Sequence, residues 1–421
     1  MKVFKFGGAS VKDANGVRNL QNILSLYPEE DIVIVISAIG KTTNLLEKIL
    51  DAYYDQPDKV SDLVHSLKEN HYQIATELTN QTDRIITKLN SVFEQLETSL
   101  AEEHSENYDF DYDQIVSQGE ILSTKLISTY LNLIGIKNHW LDARQLIRTD
   151  NTYREGKVNW DTTVPMIQHQ VAEVFNKNKE HIIITQGFIG GTAERLTTTL
   201  GREGSDYSAA ILAFALDAES VTIWKDVPGL LNADPKLFPD AVKLDQIPYE
   251  EAIELAYYGA TIIHPKTLKP LQNKKIPLYV KPFFAPLENG SIIDDHELKN
   301  PIPSYIFKNN QLLITLFPKD FSFISVENLS EIFSILSLNR IKINLMQNSA
   351  LSFSFCMDNK SHQVEHILEQ LSKNYKVKYN DAVELITIRH YSAESLDKVL
   401  KNREILVEQK NRTTIQLIIK S

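Results

Sequence analysis

The sequence predicts an α/β protein in which helices cover both faces of an open, mainly parallel β-sheet, and two small α+β units follow. Three observations predict this. Continuous apolar runs alternate with helical stretches from residue 1 to about 300. The segment ENGSIIDDHELKNPIPSY (288–305), with its glycine, prolines and charges, interrupts that pattern. Beyond it, strands and helices alternate in two shorter rounds.

The first part of the chain carries runs that are apolar along their whole length, as in strands buried on both faces of a sheet. They are KVFKFGG from residue 2, DIVIVISA (31–38), HIIITQGFIGG (181–191), SVTIWKDV (220–227) and IPLYVKPF (276–283). Residues 42–111 carry leucines and isoleucines at three- and four-residue spacing, which predicts a long helical region. Nothing in that region indicates chemistry, so we interpret it as structural.

The remainder of the chain predicts two tandem units built from short strands and helices. The first round is LLITLFP (312–318), SEIFSILSLNRI (330–341), INLMQ (343–347), ALSFSFCMD (350–358) and HQVEHILEQLSKN (362–374). The second is VELITIRH (383–390), AESLDKVLKN (393–402), EILVEQ (404–409) and TTIQLIIK (413–420). We therefore predict a large domain over 1–300 and small units over 301–375 and 376–421, the two small units being intertwined.

Composition excludes several classes of protein. With 421 residues, of which 43% are apolar and 24% charged, the chain suits two or three globular domains. Its one cysteine, Cys356, excludes an internal disulfide and a multi-cysteine zinc site. The net charge of −11, without a basic face, argues against a nucleic-acid partner. The absence of a signal-peptide pattern or a membrane-length apolar run predicts a cytoplasmic protein.

Small, hydroxylated and charged residues follow the predicted strands of the large domain. Ligands of α/β sheets bind at the carboxyl ends of the strands, so these residues are candidates for one site. They are Lys5, Gly7, Gly8 and Ser10; Ser37, Thr42 and Thr43; the loop Arg202–Asp206; and Lys225, Asp226, Asp234 and Lys236. The helix that opens at Ser205 and Asp206 has two interpretations, because these residues suit both a plain N-cap and the mouth of an anion site.

Phosphoryl transfer is the chemistry that these residues favour. Glycines let the backbone approach a triphosphate while a strand-end lysine neutralises its charge, and hydroxyls with backbone N–H groups hold a second anion. Arg202 suits two-point capture of a carboxylate. The P-loop motif and the protein-kinase motifs are both absent from the sequence.

Five stretches, in order, resemble the aspartate kinases, which are amino acid kinases with paired C-terminal ACT domains of ferredoxin-like fold. They are KFGGAS, SQGEILS (117–123), TQGFIGGTAERLTTTLGREGSDYSAA (185–210), WKDVPGLLNADPKLFPDA (224–241) and YYGATIIHP (257–265). The resemblance spans the whole chain. It implies ATP-dependent phosphorylation of the β-carboxylate of L-aspartate to 4-phospho-L-aspartate, the first step towards lysine, threonine and methionine. It implies no membrane partner, and Mg²⁺ that arrives with ATP rather than in a dedicated metal site.

The same resemblance implies roles for individual residues. Lys5 and Asp206 would be catalytic, with Lys5 neutralising the β/γ-phosphates and Asp206 organising that lysine. Aspartate would bind to Ser37, Thr43, Glu120, Phe188, Arg202 and Ser205, with Arg202 on the α-carboxylate and Glu120 on the ammonium. ATP would bind to Lys5, Phe6, Gly7, Gly8, Lys225, Asp226, Leu231, Lys236, Thr261 and Ile262.

The resemblance leaves two questions open, one about the phosphate contacts and one about regulation. Thr261 occupies a position that is often lysine, and Lys225 one that is often threonine, so our hypothesis is that the Lys225 amine serves the phosphate region instead. In the first small unit, Asn348 and Ser349 match the effector-binding strand pair, which implies feedback inhibition by lysine or threonine. The alternative is that the small units only build a homodimer.

Two other functions remain as alternatives. The chain could phosphorylate glutamate or another small acid on the same fold, although Glu120 and Arg202 together favour an α-amino acid with both charges. It could instead be a catalytically silent amino-acid sensor. The presence of Lys5, Gly8, Arg202 and Asp206 argues against a sensor, since sensing does not require phosphate neutralisation.

Overall fold

A computed structural model gives the structure of the protein and describes residues 1–178, 181–260, 263–320, 322–359, 361–400 and 403–420. The chain divides into two compact units. Unit 1 comprises Met1–Leu230, Lys243–Ile253 and Ile262–Glu297, and unit 2 comprises Leu231–Val242, Glu254–Thr261 and Leu298–Ser421. The predicted domain boundaries stay a prediction.

The strands up to residue 294 include those predicted from the apolar runs. In chain order they are β1 (Lys2–Phe6), β2 (Ile32–Ile36), β3 (His139–Trp140), β4 (Ile182–Gln186), β5 (Ile189–Gly191), β6 (Thr197–Thr199), β7 (Ser220–Lys225), β8 (Leu230–Leu231), β9 (Lys243–Leu244), β10 (Gln246–Pro248), β11 (Leu278–Pro282) and β12 (Ser291–Asp294). Within the described residues, eight of them form one sheet in the order β10-β12-β11-β7-β1-β2-β4-β3.

The sheet is parallel throughout except between β11 and β12. Strand β1 lies at its centre, with Lys5 level with Val35 of β2 and with Ile223 of β7. All five residues of β2, the run IVIVI, are buried, as expected for a strand covered on both faces. Together with the antiparallel sheet of unit 2, this arrangement confirms the predicted fold class.

Eleven α-helices up to residue 274 are interspersed with these strands along the described chain. They are α1 (Ala14–Leu24), α2 (Thr42–Asp55), α3 (Val60–Leu78), α4 (Thr82–Ala101), α5 (Tyr108–Val116), α6 (Gln118–Leu133), α7 (Ala143–Leu146), α8 (Trp160–Asn178), α9 (Gly204–Ala215), α10 (Tyr249–Tyr258) and α11 (Pro265–Lys274). Helix α4 illustrates the periodicity, because Ile85, Leu89, Val92 and Leu96 are buried along one side. Among the described residues, no helix is both long and apolar enough to cross a membrane.

Alternation along β1 decides which residues enter the core and which enter the site. Phe4 and Phe6 belong to the main apolar core with α1 residues such as Leu20. Successive side chains of a strand point to opposite faces, so Lys5 points away from that core. On its own side of the sheet Lys5 meets Asp206 of α9. The apolar pattern of KVFKF therefore delivers one charged side chain to the other face of the sheet.

Unit 2 is built mainly on an antiparallel sheet with order β14-β15-β13-β16-β18-β17. Its remaining elements are β13 (Ser304–Pro318), α12 (Val326–Leu338), β14 (Ile343–Asn348), β15 (Phe353–Asp358), α13 (Ser361–Ser372), β16 (Tyr375–Arg389), α14 (Ala393–Leu400), β17 (Ile405–Lys410) and β18 (Thr414–Lys420). Strands β13 and β16 pair along most of their 15 residues and run through both halves of the sheet. Separate apolar clusters cover the two halves, one around Ile314 and one around Ile386.

Candidate active site

A buried ion pair between Lys5 and Asp206 lies at the centre of the candidate site. Lys5 Nζ at the end of β1 is 2.6 Å from Asp206 Oδ1 in the first turn of α9, and the residues are only 8% and 3% exposed. Lys225 Nζ at the end of β7 is 3.8 Å from the other oxygen, Oδ2. Burial acts to raise the pKa of Asp206, but the two ammonium groups outweigh it and hold that pKa below its usual range. The carboxylate is therefore ionised.

The loops after β1 and β2 lie against each other beside this pair. The Gly40 N–H donates to the Gly8 carbonyl at 3.0 Å, and the Ser37 N–H donates to the Phe6 carbonyl at 3.1 Å. A Cβ on Gly8 would overlap the carbonyl oxygen of Ala38, so the close approach requires glycine. The buried Phe6 side chain belongs to the core, so only its backbone is available to a ligand.

The second loop leads into α2 and carries two of the predicted aspartate-binding residues. Ser37 follows β2 directly and is half-buried, and Thr43 is half-buried in the first turn of α2. No side chain caps the start of this helix among the described residues. Two hydroxyl residues therefore lie beside a helix start whose N–H groups have no side-chain cap among the described residues, and such a start suits an anion.

Glu120 is a buried acidic residue with one side-chain oxygen that has no hydrogen-bond partner among the described residues. It lies in the first turn of α6, is 3% exposed, and accepts a hydrogen bond from the Ala38 N–H at 3.2 Å through Oε1. The oxygen without a partner is Oε2. Burial raises the pKa of Glu120 to about 8, and the Ala38 N–H and the charge of Lys5 offset only part of that rise. An ammonium group would satisfy this carboxylate.

The segment from Gly187 to Ser205 holds Phe188 in an unusual conformation. Phe188 has φ 69°, in the left-handed region, and its backbone is fixed on both sides. Its N–H donates to Ser208 Oγ at 3.0 Å and its carbonyl accepts from the Leu200 N–H at 2.7 Å. A Cβ on Gly187 would overlap Ser205, so this glycine lets the strand-end loop pack directly on the start of α9.

Arg202 lies in the turn before α9, four residues ahead of Asp206, and its side chain is exposed. The next residue, Glu203, has φ 54° and precedes the helix without a side-chain cap. Ser205 is buried in the first turn. Neither Ser205 nor Asp206 takes the N-cap position, so the capping interpretation of these two residues is wrong.

The remaining predicted residues lie outside the contacts described so far. Asp226 is exposed in the turn after β7, whereas Leu231 and Lys236 lie in the segment Leu231–Val242 that groups with unit 2. Thr261 and Ile262 lie outside the described residues. Asn348 ends β14 and Ser349 follows it; both are exposed, and the Ser349 hydroxyl lies 2.7 Å from that of Ser352.

Two residues of this region escaped the sequence analysis. Asp113 and Gln114, near the end of α5, hydrogen-bond the residues of β6 that lead to the Arg202 turn. The signal available in the sequence was a polar pair separated by two residues from the start of SQGEILS (117–123). Neither residue follows a strand, so a search of strand ends passes over them.

The arrangement can neutralise several negative charges in one place. Two lysines flank one ionised carboxylate, and glycine loops expose backbone beside them. Arg202 offers a positive charge to a second ligand, and Glu120 offers an oxygen without a partner among the described residues. Among the described residues, no group of three His, Cys, Asp or Glu side chains could hold a metal ion. The geometry thus suits transfer between two anions by positioning and electrostatics.

Comparison with known proteins gives consistent results. Residues 1–282 match the model of the amino acid kinase family. The chain is 32% identical over 388 residues to chloroplastic aspartokinase 1 of Arabidopsis thaliana, covering 88% of this chain and 67% of that protein. It is 28% identical over 399 residues to the lysine-sensitive aspartokinase 3 of Escherichia coli strain K12, covering 92% and 86%.

Solved structures are similar over nearly the whole chain. Escherichia coli aspartokinase III in complex with aspartate and ADP, in its R-state, is 26% identical with a TM-score of 0.84 and covers 100% of this chain and 96% of its own. The same enzyme in complex with lysine and aspartate, in its T-state, is 27% identical with a TM-score of 0.82 and covers 99% and 95%.

Proposed function

The chain belongs to the aspartokinases of the amino acid kinase family, and from that premise we propose that it transfers the γ-phosphoryl group of ATP to the β-carboxylate of L-aspartate. A β-carboxylate oxygen attacks the γ-phosphorus, the bond from that phosphorus to the β,γ-bridging oxygen breaks, and ADP leaves. The product is the acyl phosphate 4-phospho-L-aspartate. The observation that supports this most is the buried Lys5–Asp206 ion pair beside two glycine loops.

Lys5 carries the main electrostatic role in this mechanism. Charge spreads over the phosphoryl oxygens during transfer, and a fixed ammonium group stabilises it best where water is excluded. Asp206 holds Lys5 in place from the opposite side, and Lys225 adds a second positive charge 3.8 Å from Asp206. No residue needs to form a covalent intermediate.

Aspartate is bound through its α-carboxylate and its α-ammonium group. Arg202 can take the α-carboxylate with two parallel hydrogen bonds, and the unpartnered oxygen of Glu120 can take the ammonium group. Ser37, Thr43, Phe188 and Ser205 would line the space between them. These two contacts select an α-amino acid and leave its side-chain carboxylate free to face the phosphates.

Mg²⁺ belongs to the nucleotide substrate in this proposal. Mg²⁺ keeps several waters and binds phosphate oxygens readily, so it can enter with ATP rather than occupy a protein cage. The nucleotide itself would lie against Gly7, Gly8, Lys225 and Asp226. Leu231, Lys236, Thr261 and Ile262 remain proposed contacts on the grounds of the family resemblance alone.

Feedback control and a homodimer form the regulatory part of the proposal. The similar Escherichia coli enzyme is lysine-sensitive and was solved with lysine, which supports lysine as the effector here, at Asn348 and Ser349. In unit 2, Val326 and Leu338 of α12 and Met346 of edge strand β14 expose apolar side chains. Apolar exposure beside an open sheet edge supports self-association through this unit.

The experiment that tests the activity traps the product with hydroxylamine. An acyl phosphate gives a hydroxamate, so ATP-dependent hydroxamate formation with aspartate supports the proposal. Glutamate in place of aspartate distinguishes the main alternative, and lysine or threonine added at the start tests the control. Equal turnover of glutamate, or no hydroxamate with either acid, would contradict it.

A further inference from the structure

Strand β6 is held by side chains from a helix that lies far away in the sequence. The Gln114 amide donates to the Thr197 carbonyl at 2.8 Å and accepts from the Thr197 N–H at 3.1 Å. Asp113 accepts from the Thr199 N–H at 2.9 Å and from the Thr199 hydroxyl at 2.7 Å. Two adjacent residues of α5 therefore fix both ends of this three-residue strand.

Asp113 also fixes the turn at Arg154, which lies against Gly201. Its Oδ2, which accepts from Thr199, also accepts from the Arg154 N–H at 2.9 Å. Gly201, with φ 77°, lies so close to Arg154 that a Cβ would be 3.2 Å from the Arg154 carbonyl oxygen. One buried carboxylate thus joins α5, the Arg154 turn and β6 immediately before Arg202.

Strand β6 has a few other hydrogen-bond partners. It pairs only with β5 among the described strands, in a two-stranded ribbon of three residues each, and such a ribbon is marginal by itself. The Thr198 hydroxyl lies 2.6 Å from Thr149 Oγ1. The Thr199 carbonyl accepts from the Gly156 N–H at 2.8 Å. The next residue, Leu200, donates its N–H to the Phe188 carbonyl at 2.7 Å. Outside the β5 ladder, the four hydrogen bonds from α5 are the largest set that the described residues make to β6, so the path of the backbone into the exposed Arg202 turn depends in part on them.

We infer that Asp113 and Gln114 are positioning residues that fix β6 and the Arg202 turn, and so set the affinity of the site for the α-carboxylate of its amino-acid substrate. The inference rests on the proposed function, because it takes Arg202 as the group that binds this carboxylate. Neither residue touches the substrate in this account. Both act through the backbone of residues 197–201.

The chemistry of Asp113 fits a fixed structural anchor of this kind. The residue is fully buried. Burial raises its pKa to about 6, although the Thr199 and Arg154 hydrogen bonds act in the opposite direction. At neutral pH it is a carboxylate that accepts three hydrogen bonds, and removing it leaves the buried Thr199 N–H and the Arg154 N–H without this acceptor.

The experiment measures dissociation constants by calorimetry for three ligands on the full chain. Aspartate has all the groups, succinate lacks the ammonium, and β-alanine lacks the α-carboxylate. The variants are Asp113→Ala, Gln114→Ala and the conservative Asp113→Asn, whose amide can still accept from the backbone. Asp111→Asn is the matched control, because Asp111 is also buried on α5 but bonds the Tyr54 hydroxyl and the Ser105 N–H.

Asp113→Ala and Gln114→Ala should each raise the dissociation constants of aspartate and succinate about tenfold or more, and should change that of β-alanine by no more than about twofold. Asp113→Asn should recover most of the loss, and Asp111→Asn should leave all three ligands unchanged. If Asp113→Ala fails to fold, Gln114→Ala carries the test. Equal weakening of all three ligands, or no change for succinate, would overturn the inference. If the unaltered chain binds aspartate without forming hydroxamate, the proposed function fails and this inference does not.

Discussion

Lys5 Nζ lies 2.6 Å from Asp206 Oδ1, which joins the end of the central strand to the first turn of α9 across 201 residues of sequence. Both side chains are almost fully buried, and Lys225 approaches the same carboxylate from the neighbouring strand. Burying such charges costs desolvation free energy that their mutual attraction often does not repay, so we expect this group to serve a purpose beyond folding. In the proposed reaction that purpose is to hold an ammonium group against a triphosphate.

Asp206→Asn tests whether this carboxylate organises Lys5. An amide of the same shape removes the charge that fixes the lysine, so we expect kcat to fall about 10²-fold, with a smaller effect on the KM for aspartate. Steady-state hydroxamate formation measures both constants. A kcat within about threefold of the unaltered chain would contradict the role, since electrostatic groups in dry sites contribute far more than that.

Lys225→Ala tests the hypothesis that this lysine replaces the one absent at position 261. Loss of a charge-assisted contact to phosphate costs roughly 1.5–3 kcal/mol, which corresponds to about 10–100-fold weaker ATP binding. Lys2→Ala is the control, because Lys2 lies at the other end of β1 and pairs with Glu30. Unchanged ATP affinity in Lys225→Ala, measured by calorimetry, would refute the hypothesis.

Glu120 predicts that aspartate binding releases a proton. Because its pKa in the free protein is raised to about 8, the carboxyl group is mostly protonated at pH 7, whereas binding of an ammonium group requires the anion. Aspartate binding at pH 7 should therefore release a proton, and affinity should rise as the pH rises towards 8. Calorimetry in buffers of different ionisation enthalpy measures the release. Glu120→Gln should abolish it, and a release that persists in this variant would assign the proton elsewhere.

Gly8→Ala and Gly7→Ala test whether the close approach of the loops after β1 and β2 is required for activity. A Cβ at Gly8 would overlap the Ala38 carbonyl, whereas one at Gly7 would lie 3.5 Å from Lys5 Nζ, an ordinary contact. We expect Gly8→Ala to lose at least about tenfold in kcat/KM, because the loops carrying Lys5 and Ser37 must separate. Gly7→Ala should lose less. The reverse order would show that the close approach of these loops is not required.

Much of the fold was predictable because the strands of the large domain are apolar without interruption. The runs beginning at Lys2, Ile32 and Ser220 form β1, β2 and β7, the three central strands. The first half of β16, Tyr375–Ala382, was missed, since KVKYND is mostly polar and exposed, with only Val377 and Tyr379 apolar. Strands β10 and β12 were also missed, because three or four residues are too few for a periodic pattern.

Site residues could be predicted where they lie at or just after the end of a strand. They could not be predicted where contacts between distant parts of the chain bring them to the site. The pairing of Lys5 with Asp206 follows from the family motifs, and the structure places the two together. Asp113 and Gln114 act on β6 across 83 to 86 residues, a contact that no local pattern can indicate. The raised pKa of Glu120 likewise depends on burial under helix packing, which only coordinates reveal.

The most direct test of the account is hydroxamate formation from aspartate and ATP by the unaltered chain and by Lys5→Met, with aspartate binding measured in parallel. We predict rapid formation by the unaltered chain and a loss of at least about 10³-fold in Lys5→Met, with aspartate affinity changed far less. A thermal melt checks that the variant is folded. Hydroxamate formed at a similar rate by folded Lys5→Met would contradict the claim that this lysine stabilises the phosphoryl group in transfer.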